Sequence, residues 1–232
     1  MKLKEKEELM PYGWLMLEKN RLIQKEYSFY LKGYHFVGYP GVFSPTIWKD
    51  TQFFSEEVVI GEGRTFLEIG CGSGVISVLA AIRGAKVTAV DINEVAVCNT
   101  QENARRHGVE DRLKVLKSDI FNALEGLKFD CIFWNVPFAH TDKKELSLLE
   151  RAVFDPNYEM LERFLGEGNE YLLPSGVLMV GFSSLAGEFT ALQSLAEKYF
   201  WRMELQAKKN LNRVVLDFDT QFELYCLRRK DK

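Results

Sequence analysis

Along the 232-residue chain, apolar and polar positions alternate in a way that sorts it into short strands and intervening helices. From residue 65 the rhythm is regular. TFLEIG (65–70) reads as an apolar strand, and GVISVLAAIRG (74–84) as a helix ending at Gly84, a residue suited to a C-cap. KVTAVDI (86–92) is a second strand, followed by a helix from Glu94 to His107 that closes at Gly108. RLKVLKSDIF and FDCIFWN give a third and a fourth strand, Tyr158 to Tyr171 a helix, GVLMVGFS a fifth strand, and Glu188 to Tyr199 another helix. RMELQAKK and QFELYCLRR follow with no helix between them, so they are predicted to pair antiparallel. Short strands separated by helices are the signature of an α/β three-layer sandwich, a mostly parallel sheet covered on both faces.

The first third is less regular. Residues 1 to about 26 mix charge with Leu9, Trp14, Leu15, Leu17, Leu22 and Ile23. Pro11 and Gly13 interrupt any early helix, which predicts a short arm packed partly on the core. YSFYLKGYHFVG is rich in aromatic residues around Gly33 and reads as a hairpin. A loop from Gly38 to Pro45 and a short helix over 51–60 complete the lead-in. The expected division is 1–45 as arm and hairpin and 46–232 as the main domain.

Composition narrows the class. The chain is 47% apolar and 27% charged, with a net charge of -3, which gives no general attraction to nucleic acid, although a local basic patch can hide in that average. Cys71, Cys98, Cys131 and Cys226 are scattered without a CxxC pair, and three of them sit in apolar surroundings. Free buried thiols in a reducing compartment are expected, rather than structural zinc. His35, His107 and His140 have no partner at metal-ligand spacing, so no metal is expected. MKLKEKEELM lacks an apolar signal core, and no apolar run approaches the ~20 residues that span a bilayer. The expectation is a cytoplasmic protein with no membrane partner, its oligomeric state open.

The candidate chemistry gathers at the ends of the predicted strands. LEIGCGSG places Gly70, Gly72 and Gly74 between a strand and a helix, where glycine permits a tight turn and close backbone approach to a ligand. Alone this is a weak signal, equally the mark of an ordinary strand-to-helix connection. Glu68 precedes the glycines, placed to orient the loop or to meet a ligand ammonium. Asp91 ends the second strand, placed for ribose hydroxyls. Asp119 follows the third, placed for an adenine amino group, with Ile92 and Ile120 as apolar walls. Three acids at successive strand ends beside one glycine turn are harder to dismiss. A nicotinamide dinucleotide would use the first two features. GxGxG with an acid two residues ahead, in place of GxGxxG, favours a cofactor without phosphate.

At the end of the fourth strand, IFWNVPFAH sets Asn135 between Trp134 and a proline-fixed turn. A carboxamide oxygen there accepts from an N–H2 group, and Val136, held extended by Pro137, fixes where its own carbonyl points. Two acceptors aimed at one nitrogen would orient it, and Phe138 could stack on a planar acceptor. The alternative is an asparagine that closes the loop on backbone groups. His140 lies close by on a polar loop, placed to contact substrate or act as a base.

EIGCGSG, VDIN and SDIF together resemble the cofactor motifs of class I S-adenosylmethionine-dependent methyltransferases, over about residues 40 to 230. The resemblance implies S-adenosyl-L-methionine as cofactor and a seven-stranded Rossmann-like sheet of order 3-2-1-4-5-7-6. It assigns Glu68, Gly70, Cys71, Gly72 and Gly74 to the methionine half, Asp91 and Asn93 to the ribose side, and Ile92, Asp119 and Ile120 to the adenine. NVPF is similar to the NPPY/NPPF motif of amino- and amide-nitrogen methyltransferases, with Val136 in place of the first proline. Those include release-factor glutamine, adenine-N6 and ribosomal-RNA guanine-N2 enzymes of the methyltransferase small domain group. By that likeness Asn135, Pro137 and Phe138 form the catalytic motif, with Asn135 also among the residues that border the cofactor. PGVFSPTIWKDT resembles the segment that covers the cofactor in the same group, bringing Thr51 to it.

The expected reaction is methyl transfer to an amino or amide nitrogen of a protein side chain or small molecule. A nucleic-acid base stands second, because the longest basic run, RRKDK, reads as a solvated tail. A cofactor-binding subunit without catalysis is the third reading.

Overall fold

The computed structural model describes residues 13–211 and 220–230. Within them the chain opens on helical residues 13–21 (α1), then a hairpin of β1 (Tyr27–Leu31) and β2 (Tyr34–Gly38). The elements that follow are α2 (Asp50–Glu57), β3 (Thr65–Ile69), α3 (Val75–Ile82), β4 (Lys86–Asp91), α4 (Glu94–Arg106), β5 (Leu113–Lys117) and β6 (Phe129–Asn135). The chain continues through α5 (Leu148–Arg151), α6 (Glu159–Glu167), β7 (Leu172–Phe182), α7 (Phe189–Lys198), β8 (Trp201–Leu211) and β9 (Thr220–Arg229). The main sheet has seven strands in the order β5-β4-β3-β6-β7-β9-β8. Counted from β3 as the first strand, that is 3-2-1-4-5-7-6, the Rossmann-like methyltransferase arrangement. β5 through β7 run parallel, and β9 is antiparallel to both neighbours.

Strand residues point alternately to the two faces, so each strand feeds two cores. Phe66, Cys131 and Phe133 pack with Phe54 of α2, with α3 and with the hairpin residues Phe29 and Phe36. Leu67, Ile69, Ile132 and Trp134 pack on the opposite side with Leu161 and Phe164 of α6 and Leu192 of α7. The same alternation sends Asn135, two residues beyond Phe133, toward α2. That parity positions the site.

Several expectations shift. The described part of the arm is helical from Gly13, whose position lies against Phe154, a ring that a Cβ would approach to 3.3 Å, and Trp14 and Leu17 pack there as a third small core. Residues 1–12 of the expected arm lie outside the described residues. The helix expected over Tyr158–Tyr171 is α6 flanked by two short 3-10 turns, entered through Asn157 and Tyr158 at positive φ. β7 begins at Leu172, four residues early, and β5 ends at Lys117, leaving Ser118, Asp119 and Ile120 as loop. Cys71 and Cys131 are buried, but Cys98 is exposed on α4 and Cys226 half-buried, so apolar neighbours in sequence overstated the burial of the thiols.

The hairpin is held by buried polar contacts. Asn103 Oδ1 accepts from Val37 N at 2.9 Å, and Asn99 Nδ2 donates to the Val37 carbonyl at 2.9 Å. Both asparagines are fully buried on α4, so these bonds replace the water they give up. The chain beyond β2 is thereby steered across the carboxyl end of the sheet.

Candidate active site

A single cavity opens at the carboxyl ends of β3, β4, β5 and β6, roofed by the Gly41–Pro45 loop, α2 and α5. Glu68, Gly70, Cys71, Gly72, Asp91, Ile92, Asn93, Asp119, Ile120, Thr51, Asn135 and Pro137 all line it. Gly74 and Phe138 do not. The three glycines have φ of 65°, 56° and 77°, a region that L side chains enter only with strain, but they serve different ends. A Cβ on Gly70 would sit 3.0 Å from Trp134 Nε1, and one on Gly74 2.6 Å from Thr100 Cγ2, so both permit close packing. Gly72 faces open space, with nothing within 4 Å of such a Cβ. The loop is bare there for a ligand.

Three carboxyl groups surround this loop. Glu68 is buried on the α3 side of β3, where its Oε2 accepts from Ser77 N at 2.9 Å and from the Ser77 hydroxyl. Burial pushes its carboxyl up to about 8, against the pull of the Ser77 bonds and with the Asp91 charge adding to the rise. Asp91 accepts from Gly72 N at 3.0 Å and from Asn93 N at 2.8 Å, tying the glycine loop to the start of α4, and burial raises its pKa as well. Asp119 Oδ1 accepts from Arg163 Nη1 at 3.0 Å, and its Oδ2 lies 3.9 Å from Arg151. Ile120, next to it, has φ of 52°. A β-branched residue in that region is an outlier, and such strain clusters where backbone is aimed at a ligand.

Among the lining residues Arg151 is the one basic side chain, against Glu68, Asp91 and Asp119. A cation in the cavity would draw the raised carboxyl groups back toward ionisation, whereas a diphosphate would meet three acids and a single arginine that already faces Asp119. The donor set fits an amino-acid cation joined to an adenosine.

At the other end, Asn135 Nδ2 donates to Asp50 Oδ2 at 2.7 Å, and its buried Oδ1 has no hydrogen-bond partner. Val136 N donates to the Gly181 carbonyl at 3.2 Å. Gly181 lies under Asn135 and Phe54. A Cβ there would come within 2.6 Å of Phe54 Cζ and 3.0 Å of Asn135 Oδ1. Phe43 lines the cavity and stacks on Trp48 at 4.9 Å. Phe138 turns edge-on to Phe182 at 5.9 Å, and its carbonyl accepts from the Tyr158 hydroxyl at 3.1 Å. His140 sits outside the lining, 3.3 Å from Asp142.

Arg151, Leu148 and Gly181 are site residues that sequence reading passed over, and Asp50 figures in it only as part of the covering segment. Glycine inside an apolar strand was a usable signal for Gly181, since it marks close approach. The others depend on which loop folds over which strand.

The methyltransferase small domain model matches residues 33–215. A Methanocaldococcus jannaschii protein whose name provisionally assigns it as a protein N5-glutamine methyltransferase is 36% identical over 73% of this chain and 86% of its own length. The tRNA1(Val) (adenine(37)-N6)-methyltransferase of Glaesserella parasuis is 30% identical over 68% of this chain and 70% of its own. In fold, the chain superposes on the T. thermophilus 16S rRNA N2 G1207 methyltransferase, solved with AdoMet and guanosine, with a TM-score of 0.60 and 20% identity over 89% of this chain and 50% of that one. The chain therefore belongs to the methyltransferase small domain family, as an enzyme that uses S-adenosyl-L-methionine.

Proposed function

We propose that the enzyme methylates an amino or amide nitrogen of a protein side chain or small molecule, and that a glutamine carboxamide of a protein is the acceptor the site suits best. The observation that carries this reading is the Asn135 oxygen, buried and unpartnered on a side chain that lines the cavity. An unmet buried acceptor costs about 1–3 kcal/mol, which a substrate N–H would recover. An amide NH2 would supply one N–H to Asn135 Oδ1 and, as the likeness to the NPPF motif implies, a second to the Val136 carbonyl.

When bound, S-adenosyl-L-methionine supplies a sulfonium methyl, the S–C electrons staying on sulfur as the acceptor nitrogen takes the methyl and releases one proton to solvent. This chain's residues bind and orient. Gly70, Cys71 and Gly72 would hold the methionine half, with Glu68 behind them. Asp91 would receive ribose hydroxyls on its remaining lone pairs, with Asn93 at its side. Asp119 would accept from the adenine amino group between Ile92 and Ile120, and Thr51 would close the cavity over the cofactor. Orientation of the nitrogen is the main contribution to rate.

Protein is favoured over nucleic acid because, among the described residues that line the cavity, the one basic side chain, Arg151, lies at the Asp119 end beside that acid and none lies at the acceptor end. The named activity of the M. jannaschii relative points the same way. An RNA base is the second reading, favoured by the stacked Phe43–Trp48 pair at the cavity, on which a planar base could lie. The test offers labelled S-adenosyl-L-methionine and enzyme to separate protein, RNA and metabolite fractions of a cell extract, with mass spectrometry of the product. Label in protein as N5-methylglutamine is expected. Label confined to RNA would contradict the assignment.

A further inference from the structure

We infer that Asp50 is a positioning residue that sets which way the Asn135 carboxamide faces, so that oxygen and not NH2 meets the acceptor nitrogen. The inference rests on Asn135 being the acceptor-binding residue. An asparagine side chain has two nearly equal ends, one a pure acceptor and one a pure donor. Nothing in its shape decides between them, so the neighbours must. An ionised carboxylate can only accept, and with Asp50 Oδ2 2.7 Å away the NH2 is directed to it and the oxygen is left for the acceptor. Asp50 is itself fixed. It is 3% exposed at the start of α2, and its other oxygen accepts from Thr51 N at 2.7 Å. The two residues lie 85 positions apart, brought together because α2 packs over the face of β6 that carries Phe133 and Asn135.

The arrangement has a consequence for pH. A protonated Asp50 becomes a donor, which suits the Asn135 oxygen and turns the NH2 toward the acceptor. The nitrogen would then face a donor in place of an acceptor, and transfer would stop. Burial holds Asp50 above the usual carboxylate range, while the Asn135 and Thr51 bonds oppose the rise. The titratable groups on the surrounding elements are engaged elsewhere. Glu68 on β3 is bonded to Ser77, Asp91 on β4 to Gly72 and Asn93, and Glu223 on β9 to Ser184 and Gln221. α3 carries no titratable side chain.

The experiment measures cofactor affinity, kcat and KM from pH 5 to 9 for wild type, Asn135→Ala, Asp50→Asn and the exchanged pair Asp50→Asn/Asn135→Asp, using whichever fraction accepts label. Asp50→Asn keeps the shape and can hydrogen-bond, but it no longer enforces one orientation. It should lower kcat about tenfold or more, as misplacement of a reacting group does. Cofactor affinity should stay within about twofold, and the acid limb of the kcat profile should disappear with the carboxylate. The exchanged pair restores an N–H···O bond in the reverse direction and still leaves a carboxylate oxygen for the acceptor, so it should exceed Asp50→Asn alone in kcat. A structural role would not move the acid limb. If Asn135→Ala is inactive while Asp50→Asn keeps wild-type kcat and the same acid limb, the positioning role is overturned and the Asn135 assignment stands. If Asn135→Ala transfers at the wild-type rate, both fall together.

Discussion

The Asn93 side chain joins the cofactor loop region to its cover, with Nδ2 donating to the Gly41 carbonyl at 3.0 Å while Oδ1 caps α4 by accepting from Val95 N at 3.0 Å. One residue thus starts a helix and holds the Gly41–Pro45 loop over the cavity. The two jobs are separable by substitution. Asn93→Asp keeps a capping oxygen and deletes the donor, so thermal stability should hold while cofactor affinity falls several-fold. Asn93→Ala should lose both, with a stability cost of about 1 kcal/mol from the cap. Thermal melts with and without cofactor, read beside calorimetric affinities, check the split.

Asp91 is a second side chain with two jobs. Its oxygens accept from Gly72 N and Asn93 N, which leaves lone pairs facing the cavity for a ribose. Asp91→Ala removes charge-assisted bonds of about 1.5–3 kcal/mol each, so calorimetry should show cofactor affinity at least tenfold weaker. Affinity equal to wild type would remove Asp91 from the cofactor site.

Glu68 makes a prediction about pH. Its folded-state pKa is raised from 4.5 to about 8 by burial, so between those values the folded protein holds a proton that the unfolded chain has released. The stability this gives the cofactor-free enzyme is full below pH ~4.5 and is lost as pH rises toward ~8. Asp155, pushed up to about 6 by burial, adds a smaller loss over its own range. Glu68→Gln cannot titrate, so its melting temperature should fall less than that of wild type between pH 5 and 8. Parallel melting curves for the two proteins across that range would rule out a raised Glu68.

Much of this was legible in the chain, and the gaps have physical causes. The mostly parallel sheet and the gathering of Glu68, Asp91 and Asp119 beside one glycine loop follow from short strands, intervening helices and turns placed at their carboxyl ends, whereas the strand order is what the family resemblance implies. Periodicity of two along FDCIFWN also tells that Asn135 shares a face with Phe133. What covers that face does not follow, because α2 and α5 reach it through loops whose path is set by tertiary contacts such as Asn20 to Val42 and Asn93 to Gly41. Asp50 therefore shows in the sequence only as part of the covering segment, beside Thr51, and its contact with Asn135 does not. The Arg163 and Arg151 guanidinium groups beside Asp119 come from a segment whose turns, with Asn157 and Tyr158 at positive φ, have no simple sequence pattern. Phe138, expected to stack on a planar acceptor, lies edge-on to Phe182 and outside the cavity lining, a placement set by the turn after Pro137.

The central claim is that Asn135 aims the acceptor nitrogen and does not hold the cofactor. Single-turnover methyl transfer by Asn135→Ala, measured beside its calorimetric affinity for S-adenosyl-L-methionine, tests it most directly. The prediction is affinity within about twofold of wild type and transfer slowed about a hundredfold, the cost of a misplaced reacting group. Transfer at the wild-type rate would make Asn135 a loop-closing residue and contradict the claim.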